Sequence, residues 1–126
     1  MDKQLPRILV VDDERDVVDF LASELARREF AVETAFSGEE AIEKMKAHRP
    51  HLLLLDIRMP GMGGIEVLRQ AKQIDPTVGV IMVTAVHEED IAKSAMALGA
   101  HDYITKPIDF NYLNMVVMTK IIQMLG

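Results

Sequence analysis

The segment HLLLLDIRMPG, residues 51–61, decides how the chain folds. Leu52 to Leu55 run without polar alternation and end at Asp56. Leucine suits a helix as well as a strand, but the run is short. Pro50 before it and Pro60-Gly61 after it punctuate it as a strand buried on both faces. Strands of that kind belong to parallel sheets covered by helices above and below.

Working outward, the same grammar repeats. Ile8 to Val11 is a β-branched-rich run closed by Asp12-Asp13 and reads as the first strand. Phe30 to Ala35 reads as the second, Val78 to Val83 (stopping near Thr84) as the fourth and Asp102 to Thr105 as the fifth. Helical spacing fills the gaps. Val17, Val18, Leu21 and Leu25 recur at three and four residues. Ala41, Ile42 and Met45 follow Ser37, an N-cap with Glu40 placed as in a capping box. Ile65, Leu68 and Ala71 follow Gly63-Gly64, and Asp75-Pro76 ends that helix. Glu88, Glu89 and Asp90 open a fourth helix, where the dipole favours acids, and Gly99 ends it. Asp109 caps a last helix from Phe110 to about Leu125. The result is an α/β chain, (βα)5, with a parallel five-stranded sheet. Right-handed crossovers leave few topologies. No internal repeat or linker divides the chain, so residues 1–126 read as a single domain.

Composition removes several functional classes. The 126 residues are 49% hydrophobic and 27% charged, an ordered globular balance. There is no cysteine, hence no disulfide, thiolate metal site or cysteine nucleophile. The net charge of −6 argues against direct nucleic-acid binding by this domain. No apolar run approaches the ~20 residues of a membrane helix. The N-terminus, MDKQLPRILVVDD, does not read as a signal peptide, because two aspartates follow one short apolar run. His48, His51, His87 and His101 fall in no motif.

In open parallel sheets, ligands sit beyond the carboxyl ends of the strands. Those ends carry Asp12-Asp13, Asp56, Thr84 and Lys106. Singly, each has an ordinary explanation: an N-cap, a strand-forming hydroxyl, a surface amine. Asp56 resists it, because Met59-Pro60-Gly61 leaves no helix starting immediately for it to cap. If the strand order is 2-1-3-4-5, the four marked strands are adjacent and their end groups converge.

Asp12-Asp13, Asp56 with Met59-Pro60-Gly61, Thr84-Ala85 and Lys106-Pro107 resemble the receiver domain of two-component response regulators. The match runs the length of the chain, in order. It implies a doubly wound, flavodoxin-like fold of order 2-1-3-4-5 and a phosphorylation-activated switch rather than a conventional enzyme. Asp56 would be the phosphoacceptor, with a sensor histidine kinase as donor and self-assisted phosphoryl transfer and autodephosphorylation. Mg2+ (or Mn2+) would be held by Asp13, Asp56 and the Arg58 backbone carbonyl, with Asp12 acting largely through water. An all-oxygen site of this kind suits a hard cation. Lys106 would neutralise phosphoryl oxygens and Thr84 would hydrogen-bond one. Three carboxylates, a divalent ion and one ammonium sum to zero, and a phosphoryl group replacing one carboxylate charge with about −2 needs both cations.

The resemblance further implies that Thr84 moves toward Asp56 on phosphorylation and that Tyr103 swings inward behind it, with Ala85 leaving room. Arg58 and Val86 occupy positions that tune access of hydrolytic water. Arg58 either folds over the phosphoryl group or pairs with a surface acid such as Glu88 or Glu89. Gly63 departs from the Asp common in the family, and Lys106-Pro107 is expected to be cis. The fourth helix, fifth strand and fifth helix would form the face for an effector domain or downstream protein. The fifth helix carries one charge, Lys120, between Phe110 and Leu125, and its surplus apolar residues point to a homodimer or tightly held partner strengthened by phosphorylation. A cytoplasmic location follows from the family, as does an effector domain, if any, outside this chain.

Two other classes compete. An aspartyl phosphatase on a Rossmann-like fold would place its nucleophile after the first strand with a second Asp two residues on. A flavodoxin-like cofactor binder would need a phosphate-cradling loop where Asp12-Asp13-Glu14 would repel phosphate.

Overall fold

A computed structural model describes residues 4–125. The expectation that no leader precedes the first strand rests partly on residues 1–3, which lie outside the described residues. The order of elements is β1 (Arg7–Val11), α1 (Arg15–Ala26), β2 (Ala31–Ala35), α2 (Gly38–Ala47), β3 (Leu52–Leu55), α3 (Gly64–Ile74), β4 (Gly79–Thr84), α4 (Glu89–Ala97), β5 (Asp102–Thr105) and α5 (Phe110–Leu125). The five strands form one parallel sheet in the order β2-β1-β3-β4-β5. This is the doubly wound arrangement the alternation of runs predicts.

Every residue of β3 is buried, and so is every residue of β4. Each strand therefore feeds two cores. On one face Leu53, Leu55, Val80 and Met82 meet Met45 of α2, Leu68 of α3 and Ala95 of α4. On the other Leu52, Leu54, Ile81 and Val83 meet Leu21 and Leu25 of α1 and Leu113 and Val117 of α5. A two-sided core explains why polar alternation is missing from the central strands. The edge strands β2 and β5, each flanked on one side, are partly exposed along most of their length.

The limits of the elements move by a residue or two. Arg7 joins β1, while Phe30 leaves β2 because its amide bonds to Leu25 at the end of α1 after Glu29 turns to φ 64. The fourth strand runs from Gly79 through Thr84: the Val78 amide closes the turn on Asp75, and pairing with β3 starts at Gly79. The predicted helix starts hold. Ser37 Oγ accepts the Glu40 amide at 3.1 Å, and the Glu40 carboxylate accepts the Phe36 amide at 2.7 Å. Asp109 accepts the Tyr112 amide at the head of α5. Gly99, at φ 105, leaves α4 through a left-handed turn that side chains avoid.

The loop after β3 is closed by two groups. The Gly64 amide donates to the Ile57 carbonyl at 2.8 Å. A Cβ on Gly64 would stand 2.0 Å from the Asp56 carbonyl oxygen, so α3 begins against the backbone of the acidic residue itself. We expect Gly64→Ala to destabilise the fold by about 2 kcal/mol or more, as overpacking against main chain does. Urea unfolding of that variant beside Gly63→Ala, where the nearest contact would be a looser 3.3 Å, measures it.

Candidate functional site

Four strand ends deliver the site. β1 delivers Asp12 and Asp13, β3 delivers Asp56, β4 ends in Thr84 and β5 leads to Lys106. The strands are paired neighbours in that order, so these residues meet because the register leaves them no alternative. Asp12, Asp56 and Thr84 are the buried polar residues among those described, while Asp13 is exposed.

The three aspartates each bring a carboxylate oxygen to within 4.8 Å of the other two. Lys106 reaches across from β5. Its ammonium lies 2.7 Å from Asp12 Oδ2, 3.0 Å from Glu14 Oε1 and 3.7 Å from Asp56 Oδ2. The remaining Asp56 oxygen accepts the Ile57 amide at 2.8 Å, which sets the carboxylate's rotation. Asp12 Oδ1 accepts the Glu14 amide at 3.0 Å, so Asp12 turns the chain after β1 and Glu14 stands at the N-cap of α1. The Lys106–Pro107 peptide bond is cis, as expected.

The electrostatics follow from burial and crowding. Burial pushes the Asp12 carboxyl above its ordinary range; the Lys106 and Glu14 hydrogen bonds oppose this, and the Asp56 charge adds to it. Burial alone would lower Lys106, but its bonds to Asp12 and Glu14, with the charges of Asp12 and Asp56, outweigh that and hold the ammonium above its usual range. The site therefore has a permanent cation. It also has more acid than that one cation balances. A cluster of carboxylate oxygens without nitrogen or sulfur donors fits a hard divalent ion such as Mg2+, with Asp12, Asp13 and Asp56 as the protein's contribution.

The remaining expected residues form a second group around Thr84. Its hydroxyl accepts the Val86 amide at 3.3 Å. The Val86 carbonyl in turn accepts the Tyr103 hydroxyl at 2.7 Å. Val86 is buried, Ala85 exposed and Tyr103 half-buried against the core beneath α2, α3 and α4. Burial, then the charges of Glu88 and Asp56, raise the Tyr103 phenol above its ordinary range. Arg58 is exposed and its guanidinium meets Glu88 at 3.3 Å, the pairing that was one of its two expected fates. Arg58, Ala85, Val86, His87 and Glu88 line a shallow hollow.

Glu14 was the residue that motif reading missed as a site residue. It follows Asp12-Asp13 directly, and a third consecutive acid was the available signal. Its partner is 92 residues away, which spacing along the chain does not show. The histidines stay outside the cluster: His48 faces Glu33 at 3.3 Å, and His51 accepts the Arg7 amide through Nδ1.

Comparison with known proteins identifies the family. The response regulator receiver domain model matches residues 8–118. The chain is 41% identical over 108 residues to the alkaline phosphatase synthesis transcriptional regulatory protein PhoP of Bacillus subtilis, covering 86% of this chain and 45% of that protein. A crystal structure of a CheY-like receiver domain protein from Methanospirillum hungatei superposes with a TM-score of 0.93 at 30% identity, covering 96% of this chain and 97% of the other. A CheX–CheY–BeF3–Mg2+ complex from Borrelia burgdorferi gives a TM-score of 0.86 at 34% identity, covering 90% and 87%. The chain spans about half the length of PhoP and about a quarter of the regulatory protein AtoC of Escherichia coli. A doubly wound sheet whose strand ends gather three aspartates and a lysine, matched over nearly its whole length, places this chain in the receiver domain family of two-component response regulators.

Proposed function

We propose that the chain is a phosphorylation switch whose acceptor is Asp56. The observation that supports it most is Lys106, held 3.7 Å from the Asp56 carboxylate in a site that also contains two further acids. A lone buried aspartate would need a cation only to balance it. Here the excess of acid leaves room for a divalent ion as well, and the similar CheX–CheY complex from Borrelia burgdorferi contains BeF3 and Mg2+. Bound Mg2+ would supply charge neutralisation for the transferring phosphoryl group.

The chain's own part is positioning. Asp56 Oδ1 is tied to the Ile57 amide, which leaves Oδ2 on the Lys106 side to attack phosphorus. The new P–O bond forms as the P–N bond of a phosphohistidine on a sensor histidine kinase breaks, and the imidazole leaves with the electron pair. Lys106 transfers part of its bonding from Asp12 and Glu14 to a phosphoryl oxygen. Thr84 exchanges its bond with the Val86 amide for a bond to another. Because the Val86 carbonyl holds Tyr103, movement at Thr84 is passed to β5 and the start of α4. The α4-β5-α5 face then controls an effector domain or downstream protein, with homodimerisation as one form of output. Autodephosphorylation by water resets the switch, and the working compartment is the cytoplasm. No helix among the described residues is long and apolar enough to cross a membrane.

Incubation with a small phosphodonor and Mg2+ should add one phosphate by intact mass, as an acid-stable, base-labile acyl phosphate. Asp56→Asn should abolish it; equal labelling of that variant would overturn the assignment. Removal of Mg2+ with chelator should prevent labelling of the wild type.

Arg58 gives a second outcome. It is held by one exposed carboxylate, Glu88, a pairing of little strength at a surface. A phosphoryl group carrying about −2 competes better for the guanidinium and draws it over the acceptor, in the path of water. Arg58→Ala should shorten the phosphorylated half-life about threefold or more, the scale of one lost hydrogen bond. An unchanged half-life removes Arg58 from the control of hydrolysis.

A further inference from the structure

The amino ends of the strands, opposite the acidic cleft, are joined in a way the switch does not use. Arg49-Pro50-His51 clasps Arg7 at the start of β1. The Arg7 guanidinium donates to the Arg49 carbonyl through Nε at 3.1 Å and Nη2 at 2.7 Å. The Arg7 carbonyl accepts the His51 amide at 2.9 Å. The Arg7 amide donates at 2.9 Å to Nδ1 of the His51 ring, a side-chain acceptor where a parallel ladder ordinarily uses a main-chain carbonyl. His51 also opens the next ladder, since its own carbonyl accepts the Gly79 amide at 3.0 Å. One residue thus holds the first rungs of β1 on β3 and of β3 on β4.

We infer that His51 is an acid-sensitive pin: protonation of its ring cancels the bond to Arg7 and frees the amino end of β1 from β3. The neutral ring that accepts at Nδ1 carries its hydrogen on Nε2. The imidazolium has a hydrogen on both nitrogens and no lone pair to offer. At 2.9 Å an N–H would then face an N–H. The ring must turn away, and a partly buried main-chain amide loses its acceptor.

The surroundings favour the neutral ring. Arg7 of β1 and Arg49 before Pro50 are cations, α3 brings Lys72, and Lys120 of α5 lies against Gly79. Asp75, at the end of α3, is the acid that faces the ring, and it is already engaged. Its Oδ1 accepts the Thr77 hydroxyl at 2.6 Å and the Thr77 amide at 2.9 Å, and Arg49 and Lys72 share its charge. Burial, then the Arg7 charge, hold the His51 ring below its ordinary range, with the Asp75 charge opposing. The unfolded chain therefore takes up the proton more readily than the folded one. The stability this bond contributes is present above the ordinary histidine value of about 6.5 and is lost as pH falls below it through the lower folded value. His48 responds in the opposite sense, because it stands 3.3 Å from the Glu33 carboxylate and protonation strengthens that pair. His101 is shifted down by burial and by the Lys120 charge and titrates in the same window, so the pin is read from a difference between two proteins that both keep His101.

Urea unfolding at intervals from pH 8 to pH 5 compares wild type with His51→Asn, whose Oδ1 can stand where Nδ1 stands and does not titrate. Over that range the unfolding constant of wild type should rise about fivefold or more beyond the rise in the variant, within the limit of tenfold per pH unit for one proton. By NMR on wild type alone, the His51 ring should titrate below about 6.5, and the Arg7 amide resonance should move with the same midpoint. Equal pH dependence of a folded variant and wild type, a His51 midpoint at or above that value, or an Arg7 amide indifferent to the titration overturns the inference.

Discussion

The structure depends on a charge problem solved by strand register. Asp12 and Asp56 are buried at the ends of neighbouring strands, where burial, with the Asp56 charge adding to it, raises the cost of ionising Asp12. Among the described residues, Lys106 is the one ammonium that reaches both. It can do so only because a single strand, β4, stands between β3 and β5 and because Lys106 follows β5 directly. The central hydrophobic strands thus do more than fill the core. Their packing fixes the separation of three charged groups closely enough that one cation serves two anions.

Much of this was legible before any coordinates. Leu52 to Leu55 ending at Asp56 carries its own interpretation, since a run buried on both faces leaves its first polar residue at the sheet's end. Once the strands are adjacent, the strand-end residues must gather. Other features were not legible because they depend on side-chain reach rather than on pattern. Glu14 is a third lysine partner through a contact that sequence spacing hides. Arg58 could turn either way until Glu88 was placed opposite it. The limits of β2 and β4 shifted because a helix C-terminus claimed the Phe30 amide and the turn on Asp75 claimed that of Val78.

The fifth helix shows how composition and geometry differ in what they tell. Its near absence of charge marks it as unusual. The coordinates divide its apolar surplus by angle. Part of it fills the core with α1, and part stays exposed on the outer side. Periodicity identifies a helix; which of its sides meets the sheet is decided by neighbours far along the chain.

The bond between Lys106 and Asp12 joins residues 94 apart. Asp12, Asp13 and Asp56 all leave the ribosome before the lysine that balances them is translated. At the ~5–20 residues per second of synthesis, the acidic strand ends therefore exist for seconds with no partner in their own chain. The first four strands can assemble in that time around their apolar cores, but the surroundings of Asp56 are finished only when the last strand docks. The acidic cleft is thus complete only once β5 has been made and docked, and a chain cut before Lys106 lacks the cation that balances it.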